Sequence, residues 1–174
     1  GSQDGLYILN GDDLQKLDTS DGLPSDNIFD LALGQGGEIW VGTQRFEVSG
    51  VGYGCKGKFT GGGESIDVTS DVALVECLKA GFLCNDSRLV STSEGWRVEG
   101  DPTEAALIVA ANKIDGSSPP WGDKFPRLDT IPFESQYQYM ATLHVPGAGL
   151  APVAYIKGAL EAVLPPGARG ILPK

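Results

Sequence analysis

The chain has 174 residues, a hydrophobic fraction of 41% and a formal net charge of −10, which allows one domain of ordinary size with a real core. The acidity argues against a nucleic-acid backbone as partner, because that recognition runs on basic patches and counterion release. No run approaches the roughly 20 apolar residues needed to span a bilayer, and no signal peptide opens the chain, so this piece is expected to be soluble and to make no direct membrane contact of its own.

Gly1 and Ser2 read as a cloning remnant, and residues 3–37 as a β-meander. Short strand-like runs at Leu6 to Leu9, Leu14 to Leu17, Ile28 to Leu33 and Glu38 to Val41 are separated by turn chemistry at Asn10-Gly11-Asp12, Asp21-Gly22-Leu23-Pro24 and Gly34-Gln35-Gly36-Gly37. The stretch Thr19 to Ile28, with Gly37 to Thr43, resembles one repeat of the two-component-regulator β-propellers. A propeller needs several such units to bury its faces. The resemblance therefore implies a segment of different ancestry ahead of a domain at residues 38–174. Asp12-Asp13 and Asp26 fall in turns without EF-hand spacing.

Phe46 to Tyr53 reads as strand, and Gly54 to Gly63 as a flexible Gly and Lys-rich connection that lacks the GxxxxGK[ST] phosphate loop. Ser70-Asp71 caps a helix with Leu74, Leu78 and Phe82 on one face, which Leu83-Cys84-Asn85-Asp86 ends. Cys55, Cys77 and Cys84 are odd in number and lack Cys-x-x-Cys spacing, which indicates neither a disulfide framework nor a zinc site and suits a reducing cytosol. Arg88 to Val90 and Trp96 to Val98 make a hairpin. Asp101 as N-cap, Pro102 at the first helical position and Glu104 three residues after the cap open a second helix with Leu107, Ala111 and Ile114 as its stripe. After a loop at residues 116–122, Tyr137 to Val145 alternates with period two. Tyr137, Tyr139, Ala141, Leu143 and Val145 share its apolar face, and Gln138, Met140, Thr142 and His144 share its polar one. His144 has no nucleophile partner in a recognisable motif and reads as structural. Pro152 to Ile156 is a partner strand and Ala159 to Val163 a short helix. Helices over antiparallel hairpins give an α+β domain.

An adenine asks for an aromatic or apolar surface and polar groups at its edge, and phosphates ask for cations or N–H donors. Phe133, Glu104 and Lys157 supply one of each. Stacking on an aromatic ring contributes about 1–3 kcal/mol per base in nucleic-acid complexes, which makes Phe133 the main anchor. Singly, Glu104 is a helix cap, Phe133 a core residue and Lys157 a solvated cation. In order and spacing, however, Gly100-Asp-Pro-Thr-Glu104, Pro132-Phe-Glu-Ser135 and Lys157-Gly-Ala159 resemble the nucleotide-binding domain of P-type cation-transporting ATPases. Leu83-Cys84-Asn85-Asp86 is similar to the segment after the corresponding helix of that family, and Phe133 to His144 resembles the bacterial, chiefly cyanobacterial, branch related to calcium pumps.

That resemblance implies ATP as ligand, with Mg2+ carried through the nucleotide, and the phosphorylation and actuator domains of a pump as partners on the cytoplasmic side of a membrane. It places Glu104 near the adenine amino group, Phe133 on the ring and Lys157 close to adenine and ribose. It makes Gly158 a point of close ligand approach, Met140 an apolar pocket position and Thr103 a neighbour of the nucleotide. No catalytic residue is implied: the Asp-Lys-Thr-Gly-Thr motif bearing the phosphorylated aspartate is not in the sequence, so the chain is expected to bind ATP without hydrolysing it. Two departures stand out. Gln138 lies where many members carry a cation, and Leu160 where proline usually follows Lys-Gly-Ala. The chain stops before the Leu-Arg-Val-Leu-Ala segment of the family, so the domain reads as cut short at its C-terminus. The alternatives are a β-rich sensory module of propeller type, which would show further repeats, and a non-functional chimaera.

Overall fold

The computed structural model describes residues 6–10, 13–17, 38–41, 44–93, 95–116, 119, 121–147 and 149–163. Along the chain come β1 (Leu6–Asn10), β2 (Asp13–Leu17), β3 (Glu38–Val41), β4 (Gln44–Val48), β5 (Phe59–Gly61) and β6 (Glu64–Ser65). A single 3-10 turn at Val68–Ser70 leads into α1 (Val72–Leu83), then the hairpin of β7 (Arg88–Thr92) and β8 (Gly95–Glu99), α2 (Pro102–Asn112) and the short α3 (Trp121–Lys124). Last are β9 (Arg127–Glu134), β10 (Tyr139–His144), β11 (Val153–Gly158) and α4 (Leu160–Val163). The described strands are antiparallel throughout and form sheets in the orders β2-β1-β11-β10-β9, β3-β4-β5-β6 and β7-β8. This is the α+β arrangement expected.

Helix α1 joins the two larger sheets. Asp71 starts it as an N-cap, its Oδ1 accepting the Leu74 N–H at 2.9 Å, which satisfies one of the donors a helix start leaves free. Ala73, Leu74 and Leu78 then enter one core with Ile39 and Val41 of β3, Phe46 and Val48 of β4, and Phe59 of β5. The end of the helix enters a second core, where Leu83 and Cys84 meet Met140 and Tyr155. Each such large side chain taken from water contributes about 1.5–3 kcal/mol. Burial raises the Cys84 thiol and Tyr155 hydroxyl above their ordinary values, so both stay neutral.

Four local expectations change. The strand read over Phe46 to Tyr53 ends at Val48. The Gly and Lys-rich stretch is not wholly loop: β5 lies in it, pairing with β4 and turning through Gly62 and Gly63 into β6. Strand β9 was not anticipated, since Pro132 and the lack of clean alternation mask it. The faces of β10 are reversed, with Met140, Thr142 and His144 nearly fully buried while Tyr139 and Leu143 are half-buried. The expected strand at Ile28 to Leu33 lies outside the described residues.

The reversal works because the two polar side chains satisfy each other. A carbonyl can only accept, so His144 Nδ1 carries the proton it donates to Phe125 O at 2.8 Å, and Nε2 accepts the Thr142 hydroxyl at 2.9 Å. Burial lowers the imidazole below the ordinary histidine value, the Phe125 carbonyl opposes this and nearby Arg127 adds to it. Below about pH 6.5 the unfolded chain therefore binds a proton that the folded chain refuses, and stability falls as pH falls. His144→Gln is expected to flatten the fall of Tm between about pH 7 and pH 5. An unchanged slope in melts across that range would show that His144 titrates normally.

Candidate functional site

The site starts at the head of α2. Asp101 accepts the N–H groups of Thr103 at 2.8 Å and Glu104 at 3.2 Å, and these bonds hold its carboxyl below the usual range. Glu104 turns its carboxylate outward from the helix, to the segment that ends α1. Its Oε2 accepts the Asp86 N–H at 2.9 Å and lies 3.5 Å from the Ser87 hydroxyl, and its Oε1 lies 2.8 Å from Lys157 Nζ. Asn85 adds a backbone tie, donating its Nδ2 to the carbonyls of Gly81 at 3.0 Å and Glu104 at 2.8 Å. Gly100 allows this closeness. At φ +115, a Cβ there would stand 2.4 Å from Ser87 Oγ.

The other half of the site is a row across three strands. Met140 of β10 pairs with Lys157 of β11. On its other side β10 meets β9 with Tyr139 opposite Glu134 and Ala141 opposite Ile131, so two residues, Pro132 and Phe133, stand against the single Met140. Such a bulge re-aims side chains, and Phe133 is 56% exposed. From β9 inward the row is Phe133, Met140, Lys157, and Glu104 closes it from the helix.

Five of the six sequence-predicted residues thus come together, in distinct situations. Glu104 and Lys157 form an ion pair with side chains 19% and 24% exposed. Phe133 is open. Met140 is 1% exposed and supports the row from within the core. Gly158 packs against the chain itself, where a Cβ would fall 2.3 Å from Gln138 O. Thr103 is exposed in the first turn of α2, one residue before Glu104. Sequence reasoning missed Asn85, Ser87 and Arg127. Their roles depend on partners brought in by the fold, though Leu-Cys-Asn-Asp marked the segment.

Lys157 Nζ is buried and pairs with Glu104 Oε1 at 2.8 Å, which takes one of its three N–H groups. Lys113 offers the contrast: its buried ammonium donates to the carbonyls of Ser49 at 2.9 Å and Gly50 at 3.4 Å, so it has a structural role. Clefts of about 390 and 360 Å³ lie elsewhere, along Gln44 to Glu47 and Gly61 to Gly63, and include none of the six residues. Among the described residues no cluster of acidic, His or Cys side chains is arranged to hold a metal, and no helix is long and apolar enough to cross a membrane.

Residues 73–166 match the family described as P-type ATPase, cytoplasmic domain N, and the chain belongs to that family. It is similar to Cation-transporting ATPase pma1 of Synechocystis, with 47% identity over 131 residues, covering 72% of this chain and 14% of that protein. It is also similar to Probable cation-transporting ATPase F of Mycobacterium tuberculosis, at 35% over 127 residues with the same shares, and to Calcium-transporting ATPase of Bacillus subtilis, at 32% over 105 residues covering 60% and 12%. The chain spans about one seventh of the length of the first two.

Proposed function

We propose that this N domain binds ATP at the Phe133–Met140–Lys157–Glu104 row and presents it to the phosphorylation domain of a cation-transporting pump on the cytoplasmic side of a membrane. The observation that carries the reading is the buried ammonium of Lys157, whose three N–H groups meet, among the described residues, a single carboxylate oxygen, Glu104 Oε1 at 2.8 Å. The N–H groups that Glu104 does not take can donate to a polar ligand atom that reaches Lys157. Phe133 offers an exposed ring for the base, Glu104 accepts from an amino group at its edge, and Thr103 and Gly158 border the same region. Met140 keeps the strands beneath the base in register.

Phosphate contacts in this reading are few. Gln138 is neutral, and its backbone at φ 59 closes the β9–β10 hairpin. The adenine therefore carries the affinity, and Mg2+ accompanies the phosphates to the partner domain, where an aspartate would accept the γ-phosphoryl group. The actuator domain is the further partner of such a pump. The domain is taken to begin at Glu38, because Ile39, Val41, Phe46 and Val48 share the core of α1, with residues 3–37 as an added β segment.

Titration with ATP, AMP and GTP by NMR or calorimetry tests the assignment. ATP and AMP are expected to bind with similar affinity and GTP more weakly. Phe133→Ala should weaken ATP by about tenfold or more, the loss of one stacked base. No binding at millimolar nucleotide, or an unchanged affinity in the variant, would refute it.

A further inference from the structure

Arg127 opens β9 and reaches across to the turn at the end of α1. Its Nη1 donates to Asp86 Oδ1 at 2.7 Å, and its Nη2 to the carbonyls of Leu83 at 3.0 Å and Asn85 at 2.5 Å. Helix ends leave such carbonyls unpaired and favour a cation. The planar guanidinium can hold three acceptors in a fixed fork, which an ammonium cannot. The Asp86 pair is half-exposed and weak as an ion pair alone, so the weight of the contact lies in where it holds the backbone.

That backbone is what holds Glu104. The turn whose carbonyls Arg127 bonds supplies the Asp86 N–H to Glu104 Oε2, the Ser87 hydroxyl beside it donates to the Asp101 carbonyl at 3.0 Å, and Glu104 Oε1 meets Lys157. Arg127 has its charge engaged with Asp86 and two carbonyls, so it fixes the turn without neutralising Glu104. We propose that Arg127 is a positioning residue for the nucleotide site: by clamping residues 83–86 it sets the Glu104 carboxylate and, through it, the Lys157 ammonium. This rests on the nucleotide reading above, and its core can be measured without nucleotide.

Arg127→Ala, Arg127→Lys, Glu104→Gln and the double variant Arg127→Ala with Glu104→Gln would be compared with the parent chain by NMR. In the nucleotide-free parent, Glu104→Gln should move the Asp86 amide resonance, and the same change made on the Arg127→Ala background should leave it unmoved, since Asp86 N–H no longer meets the carboxylate. ATP affinity is expected to fall about tenfold in Arg127→Ala, the usual order for loss of a supporting partner, and less in Arg127→Lys. The double variant should bind no worse than Glu104→Gln, since both changes act on one carboxylate. The proposal is overturned if the Asp86 response survives in Arg127→Ala, or if the two losses in affinity multiply. If the alanine variant does not fold, Arg127→Lys decides: parent-like amide response and affinity would overturn the proposal. If the parent binds no nucleotide but the Asp86 response still depends on Arg127, the nucleotide reading falls and the positioning of Glu104 stands.

Discussion

Gly158→Ala is expected to destabilise the domain by about 3 kcal/mol, the upper range for forcing an atom into a filled space, and to lower Tm by roughly 6–12 °C. A Cβ at this position would lie 2.3 Å from Gln138 O, 2.5 Å from Tyr139 Cα and 2.6 Å from Tyr139 Cβ. Two of those three are backbone atoms, which cannot turn aside as a flexible side chain can. Nor is the hairpin free to retreat. Gln138 N–H is bonded to Glu134 O at 2.8 Å, Gln138 O accepts from Ala159 N–H at 2.8 Å, and Gln138 already holds a left-handed conformation. Strands β10 and β11 would have to part at the pair next to Met140 and Lys157, so nucleotide affinity should fall with stability. A melt within about 2 °C of the parent would mean that the hairpin accommodates the methyl group.

Glu104→Ala should cost about 2–4 kcal/mol, because it leaves a buried ammonium and the Asp86 N–H without their shared acceptor, while the Ser87 hydroxyl keeps the Asp101 carbonyl at 3.0 Å. Lys157→Met should cost less. It removes the charge that needed an answer, while Glu104 keeps the Asp86 N–H at 2.9 Å. The order follows from the asymmetry of broken pairs, in which the group left behind sets the penalty. Urea unfolding of both variants measures it, and an equal or larger loss in Lys157→Met would show that the lysine, not the carboxylate, organises the site.

Local chemistry was legible in the sequence wherever a residue acts on its neighbours. Asp71 and Asp101 cap their helices as read, because a cap bonds within three residues. The reading of Glu104 as a helix cap failed, since the carboxylate found Asp86 and Lys157, 18 and 53 positions away. Distance along the chain also hid Arg127, whose acceptors are 41 to 44 residues away. On β10 the polarity of Thr142 and His144 pointed to the wrong face, because a pair that satisfies its own hydrogen bonds can be buried at little cost. Strand β9 was hidden by Pro132, which counts against a strand unless it lies at a margin or bulge, and here it lies at both. The order of Glu104, Phe133 and Lys157 carried the family, but not which of them would be open and which paired.

The irregularity at Pro132 and Phe133 also bears on solubility. A bare sheet margin is a template on which another extended chain can add itself, bond by bond. Proline offers no N–H to such a chain, and the extra residue against Met140 breaks the even spacing that an incoming strand would need. An exposed phenylalanine beside a regular margin would invite stacking of copies through backbone pairing. Set in this interrupted strand, Phe133 can present a flat apolar surface to a small planar molecule while extended polypeptide finds no continuous ladder to join.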